Sequence, residues 1–272
     1  VRAQHSSHFY ASGRVKGRID FRFKTVYNKR KKEEKTLKKA VVLLSGGMDS
    51  CVTARYAQEA GFEVYGLSIR YGQKHEVEVD AAESVAEFLR IPLYRKFLGV
   101  SDLLKSALIA NSGEELPTNR TFEEMQASGV APSYVPARNT ILLAVAGGYA
   151  DSLGAEAVFY GAHREDHVGY PDCRPEYFTA MSTALQLGTK HKVRVEAPFI
   201  FDTKDKIVKA GYTLGAPLWL THSCYQGKQP ACGVCDTCQI RINAFKKAGF
   251  IDPIDYEIKI NWGGCLPFRS DV

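Results

Sequence analysis

From residue 40 to residue 214, short apolar runs alternate with stretches of helical period, and this alternation is the strongest constraint on the fold. AVVLL (40–44) reads as a buried strand, 49–60 as a helix closed by Gly61, and EVYGLSI (63–69) as a second strand. An amphipathic helix over 76–89 stops before Pro92, and PLYRKFL (92–98) is a third strand. Farther on, Arg138–Leu153 reads as a helix, AVFYG (157–161) as a strand and 175–187 as a helix. VRVEAP (193–198) is a further strand and Lys204–Leu214 a further helix. Strands that alternate with helices run parallel and are covered on both faces, so the expected class is α/β with a doubly wound parallel sheet. In such sheets ligands bind beyond the carboxyl ends of the strands. The stretch 99–135 is too long for a passive connection and reads as a functional segment or a lid.

At the carboxyl end of the first strand stands SGGMDS (45–50). It lacks the GK[ST] ending of a Walker A loop and is not the GxGxxG dinucleotide fingerprint. Gly46 and Gly47 let the backbone bend close to a ligand and present N–H groups, and a helix begins directly behind them. Ser45 and Ser50 can add hydroxyl donors to phosphate oxygens. Asp49 would repel bare phosphate, so its useful task is to hold Mg²⁺ on that phosphate. Leu44 and Met48 belong to the same ATP-binding stretch, and the whole reads as a phosphate site.

Seven cysteines in a chain expected in the cytoplasm argue against a disulfide framework. Cys224, Cys232, Cys235 and Cys238 fall in a C-x7-C-x2-C-x2-C pattern. Four thiolates with no open position suit a tetrahedral structural Zn²⁺. An iron–sulfur cluster is the competing reading, and a Cys232–Cys235 redox pair would leave two cysteines unused. Cys51, Cys173 and Cys265 stand apart and read as plain core or surface residues.

Charge divides the chain. Residues 1–40 carry 13 Lys/Arg against 3 Asp/Glu, whereas the remaining 232 residues carry 23 against 27. A nucleic-acid partner would therefore have to engage the basic extension, 1–38, in which RVKGRIDFRFK (14–24) alternates like a strand and 28–39 is a charge run. No run of 18 apolar residues exists and no secretory core opens the chain, so no membrane span and a cytoplasmic location are expected.

SGGMDS matches the pyrophosphate loop of the N-type ATP pyrophosphatases, which adenylate a substrate and release pyrophosphate. With YGQKHEVE (71–78), YVPARN (134–139), GYPDCRPEY (169–177), TKDKIVK (203–209) and the cysteine cluster, in that order, the chain resembles the 7-cyano-7-deazaguanine synthase family over about residues 39–255. The resemblance implies a sheet of the adenine-nucleotide alpha-hydrolase-like type over 39–220, a zinc-binding C-terminal region over 221–272, zinc rather than iron–sulfur, and a homodimer. It also implies a two-stage reaction. ATP activates 7-carboxy-7-deazaguanine as an acyl adenylate, ammonia gives the amide, and a second ATP removes the amide oxygen to leave the nitrile (preQ0), for queuosine or archaeosine synthesis.

By the same resemblance Lys204 neutralises phosphate charge, and Arg138 with Asn139 binds the substrate carboxylate or the adenylate. Ala137 stands where family members commonly have Gly. In GYPDCR, Tyr170 suits stacking on the base, Asp172 its N–H edge, and Arg174 a carboxylate or phosphate. GAHREDHV (161–168) departs from the family's common Asn-containing form, and His163 and His167 read as solvated loop residues. Two other functions fit the same features: coupling of a deazaguanine acid to a protein amine, with the extension as a docking arm, and an RNA-binding module whose loop only holds nucleotide.

Overall fold

The computed structural model describes residues 37–74, 77–110 and 113–268. The alternating stretch 14–24 and most of the charge run 28–39 lie outside them. Five parallel strands form the main sheet in the order β3-β2-β1-β4-β5: β1 (Lys38–Leu43), β2 (Phe62–Arg70), β3 (Leu93–Phe97), β4 (Ala157–Phe159) and β5 (Arg194–Glu196). β1 is central, paired with β2 from Lys38↔Phe62 and with β4 from Ala40↔Ala157. This is the doubly wound arrangement the alternation predicts.

Burial on both sides explains the apolar run from Ala40 onward in β1, which opens on the exposed Lys38. Ala40 and Val42 face one core, with α1 (Met48–Glu59), α2 (Val77–Leu89), α6 (Lys204–Leu214) and α7 (Asp236–Ala248). Val41 faces the other, with α4 (Arg138–Leu153) and the apolar side of α5 (Pro175–Gly188). Phe245 of α7 is fully buried in the first core, so the cysteine-bearing region packs into the main body and shares its core. A small parallel pair, β6 (Phe250–Ile251) and β7 (Leu266–Pro267), follows α7.

Several elements differ from the sequence-based expectation; β5, expected over 193–198, spans Arg194–Glu196. β4 ends at Phe159; Tyr160 N still donates to Glu196 O of β5 at 3.1 Å, and from there Tyr160 and Gly161 line a cleft. The helix that the sequence suggests over 239–248 begins earlier, with α7 starting at Asp236, so Cys238 lies within its first turn. The 99–135 stretch contains a short helix, α3 (Phe122–Ala127), closed by a reciprocal capping box between Thr121 and Glu124. That stretch is stitched across the molecule. Asn119 donates to Val234 O at 2.8 Å, Arg120 pairs with Asp236, and Ala131 donates to Gly169 O at 3.0 Å.

Candidate functional site

The strand order reverses between β1 and β4, and the loops leaving these two strands diverge there. A cleft of about 240 Å³ opens at that point. Gly46 takes φ 91°, a left-handed conformation that glycine adopts without strain, and Gly47 caps α1. The serine hydroxyls lace the loop to itself: Ser50 Oγ donates to Gly47 O at 2.9 Å, and Gly47 N donates to Ser45 Oγ at 3.2 Å. They set the shape of the loop before any phosphate arrives. Leu44 and Met48, each 1% exposed, fasten it to the core. Leu44, Ser45, Gly47, Met48, Asp49 and Ser50 all line the cleft; Gly46 instead offers its carbonyl to His222 N at 2.9 Å. From β4, Gly161 comes so close that a Cβ there would stand 3.0 Å from Asp49 C and 3.1 Å from Ser50 N.

Lys204 is buried rather than solvated, and its Nζ lies 3.0 Å from Asp49 Oδ2. His163 Nε2 stands 3.4 Å from that ammonium and 3.3 Å from Asp166 Oδ2. Burial pushes the Asp49 carboxyl upward, but Lys204 and His163 outweigh it and hold the group below its ordinary value. For Lys204 burial acts against the charge, and Asp49 and Asp166 more than restore it. Asp49 Oδ1 is buried and has no hydrogen-bond partner among the described residues, which suits a divalent cation carried in with a nucleotide.

The opposite wall comes from the start of α4 and from the GYPDCR turn. Arg138 lines the cleft, with Nη1 3.3 Å from Tyr71 Oη. Its neighbour Ala137 takes the left-handed φ 53°, a conformation that glycine adopts with less strain. Tyr170 lines the cleft beside Tyr225, the residue after Cys224, with their hydroxyls 3.5 Å apart. Tyr170 also shares a 2.6 Å hydrogen bond with Ser133. Asp172 lies behind the cleft lining, where its Oδ2 accepts from Asn139 N at 2.8 Å and so caps α4 with a negative charge. Burial raises its carboxyl above the ordinary value. Arg174 is not brought to the cleft. Its Nε donates to His167 O at 2.9 Å, and it lines a separate depression with Arg164 and Phe201.

The four Sγ atoms of Cys224, Cys232, Cys235 and Cys238 are buried and lie within 4.8 Å of one another. Those of Cys232 and Cys238 are 3.9 Å apart. Two thiolates on one tetrahedral ion at ~2.3 Å would stand ~3.8 Å apart. Cys235 N and Val234 N point at Cys232 Sγ, at 3.4 and 3.5 Å, as donors that favour a thiolate. The donor set therefore fits a single closed metal site. Arg241, 1% exposed, fastens this region to the cleft: it forms a two-pronged pair with Asp252 (2.7 and 2.9 Å) and donates to Thr221 Oγ1, Ser223 Oγ and Leu218 O. Thr221 and Ser223 flank His222, which touches the phosphate loop.

The sequence reading missed His163, Asp166, Tyr71, Tyr225 and His222. Each lies in or one residue away from a stretch singled out for other reasons, and that adjacency was the available signal.

The family model described as queuosine biosynthesis protein QueC matches residues 39–249. A 7-cyano-7-deazaguanine synthase of Thermoplasma volcanium is 47% identical over 225 residues, covering 80% of this chain and 91% of its own length. Its counterpart from Thermoplasma acidophilum is 43% identical over 81% of this chain and 92% of its own. That from Caldicellulosiruptor bescii is 44% identical over 82% of this chain and the whole of its own length.

Proposed function

We infer the reaction from one premise: the chain belongs to the queuosine biosynthesis protein QueC family. It is a carbon–nitrogen ligase that makes 7-cyano-7-deazaguanine. We propose that it does so from 7-carboxy-7-deazaguanine and ammonia, through adenylated intermediates, with the residues of the cleft in the following roles. The observation that carries this assignment is the meeting of Asp49 and Lys204, from the ends of two different segments, 3.0 Å apart beside a preshaped glycine loop.

A carboxylate resists attack by ammonia until one of its oxygens becomes a good leaving group. The N–H groups of the first turn of α1, residues 48–50, and the Lys204 ammonium hold the leaving pyrophosphate, so attack falls on the α-phosphorus. Mg²⁺ carried with ATP would sit on Asp49 Oδ1 and supply further charge neutralisation. Arg138 faces the anionic carboxylate or adenylate, a planar partner that suits guanidinium. Tyr170 and Tyr225 offer a wall for the flat base. Asp172 acts by holding the start of α4, and the position of Arg174 supports an outlying role. Zn²⁺ on Cys224, Cys232, Cys235 and Cys238 is the reading that four buried thiolates favour; it would pin 221–238 against the cleft.

The domain reading stays as follows: a basic extension over 1–38, the nucleotide-binding body over 39–220, and the metal-bearing region over 221–272. The extension's charge would suit RNA or an acidic protein surface, and the exposed Tyr94 and Phe97 on edge strand β3 would suit a second copy of the chain. Among the described residues no helix is long and apolar enough to cross a membrane, in keeping with work in the cytoplasm.

Product analysis with α-labelled ATP and the acid tests the mechanism. AMP and pyrophosphate are expected, and Asp49→Asn should lower turnover by roughly a hundredfold, as for loss of one major transition-state contact. ADP as the main product, or an unimpaired Asn variant, would overturn it.

A further inference from the structure

Asn139 lines the cleft beside Arg138, and its carboxamide is clamped from behind. Nδ2 donates to Asp172 O at 3.1 Å and to Cys173 Sγ at 3.2 Å. A backbone carbonyl can only accept, so this pair fixes which way the amide faces. Both amide hydrogens are used, and Oδ1 accepts no hydrogen bond from any described residue. A carboxylate has nothing to gain from such an oxygen; a neutral N–H donor does. We propose that Asn139 Oδ1 is the acceptor for a nitrogen donor held next to the anion bound by Arg138, and that Cys173 is a positioning residue that aims it.

The ligand chemistry is N–H, and the reaction offers it from two sources: the incoming ammonia and the N–H edge of the deazaguanine. An acceptor that takes a hydrogen from ammonia leaves the nitrogen lone pair free for the acyl carbon. Burial, reinforced by Asp166 and Asp172, pushes the Cys173 thiol well above its ordinary value. The sulfur is thus a neutral acceptor, not a thiolate nucleophile. Cys173, which nothing in the sequence singled out, has a defined task here.

The inference rests on the reaction proposed above, so the experiment first asks whether the wild-type protein releases pyrophosphate from ATP and the acid without ammonia. Failure there sinks the reaction; success makes the rest interpretable. Steady-state KM values for ammonia and for the acid are then measured for wild type, Cys173→Ala, Cys173→Ser and Asn139→Ala, with thermal unfolding as the check on folding. Asn139→Ala keeps the backbone N–H that Asp172 accepts from, so α4 retains its cap. Ammonia as the source predicts that Cys173→Ala and Asn139→Ala raise the KM for ammonia at least about fivefold, the scale of one neutral hydrogen bond. The KM for the acid would then move less than about twofold. The base edge as the source predicts the reverse split. Cys173→Ser, which keeps an acceptor, should restore the wild-type values. Unchanged KM values for both substrates in folded variants, whatever happens to kcat, would overturn the proposal, and failure of serine to rescue would remove Cys173 from it.

Discussion

Replacing Arg241 by Met tests how the cysteine-bearing region is held against the cleft. The side chains of Arg241 and Asp252 are 1% and 0% exposed, so the substitution leaves a carboxylate in the interior. Among the described residues Asp252 then keeps the Tyr256 hydroxyl at 2.7 Å and Ile254 N at 3.3 Å, both neutral donors. Removing one partner of such a pair costs about 3–5 kcal/mol, because the other charge stays buried without compensation. For a folded body of this size that corresponds to a Tm lowered by roughly 6–20 °C. Asp252→Asn removes the charge and keeps one of the two oxygens, which can still accept from Ile254 N, while the Tyr256 hydroxyl can turn to accept from the new amide NH2. The double variant should therefore recover part of the loss, with a coupling energy of at least ~2 kcal/mol. Urea unfolding with zinc present, followed through tryptophan fluorescence, measures all four corners of the cycle. The KM for ATP should rise in parallel, since Arg241 holds Thr221 and Ser223 on either side of His222. A loss below ~1 kcal/mol for Arg241→Met, or strict additivity in the double variant, would refute the view that this pair is one buried, interdependent unit.

Gly161→Ala places a methyl 3.0 Å from the Asp49 backbone, where neither side can yield easily. Stability should fall by about 1–3 kcal/mol and kcat/KM for ATP by roughly tenfold or more, measured by unfolding and initial rates; a silent variant would show that the approach of β4 to the loop is loose. Cys235→Ser should abolish stoichiometric zinc and lower Tm, because it opens a closed tetrahedral site whose binding energy is also folding energy. Metal analysis is the check, and iron with visible absorbance in the wild type would refute it. Asp49 is held below the ordinary carboxylate value, so its ion pair stabilises the fold fully above about pH 4 and less as pH falls through the lowered value. The stability difference between wild type and Asp49→Asn should accordingly narrow in acid, as pH-dependent unfolding curves would show. A difference constant from pH 7 to pH 2 would contradict the pairing.

The class of fold and the place of the phosphate loop were legible in the sequence alone. Strands buried on both faces must read as apolar runs such as AVVLL, and a glycine turn between strand and helix is a local signal. The cysteine cluster was legible for the same reason, since three of its four members lie within one knuckle. The capping box of α3, Thr121 and Glu124, was equally local and was passed over inside a long irregular stretch. The composition of the cleft was a different matter. His163 and Lys204 meet Asp49, and Asp166 meets His163, only because the sheet places the ends of β1 and β4 side by side and brings α6 in behind them. No spacing along the chain encodes that distance. Asp172 and Arg174 show the converse: adjacent in one motif and both suited to a ligand, they are turned to a helix cap and to an outer depression by the 3-10 turn that carries them. Chemistry that depends on residues close in sequence could be read from it. Chemistry that depends on which loops share a switch point between strands was decided by the tertiary structure, because packing, not spacing, sets those contacts.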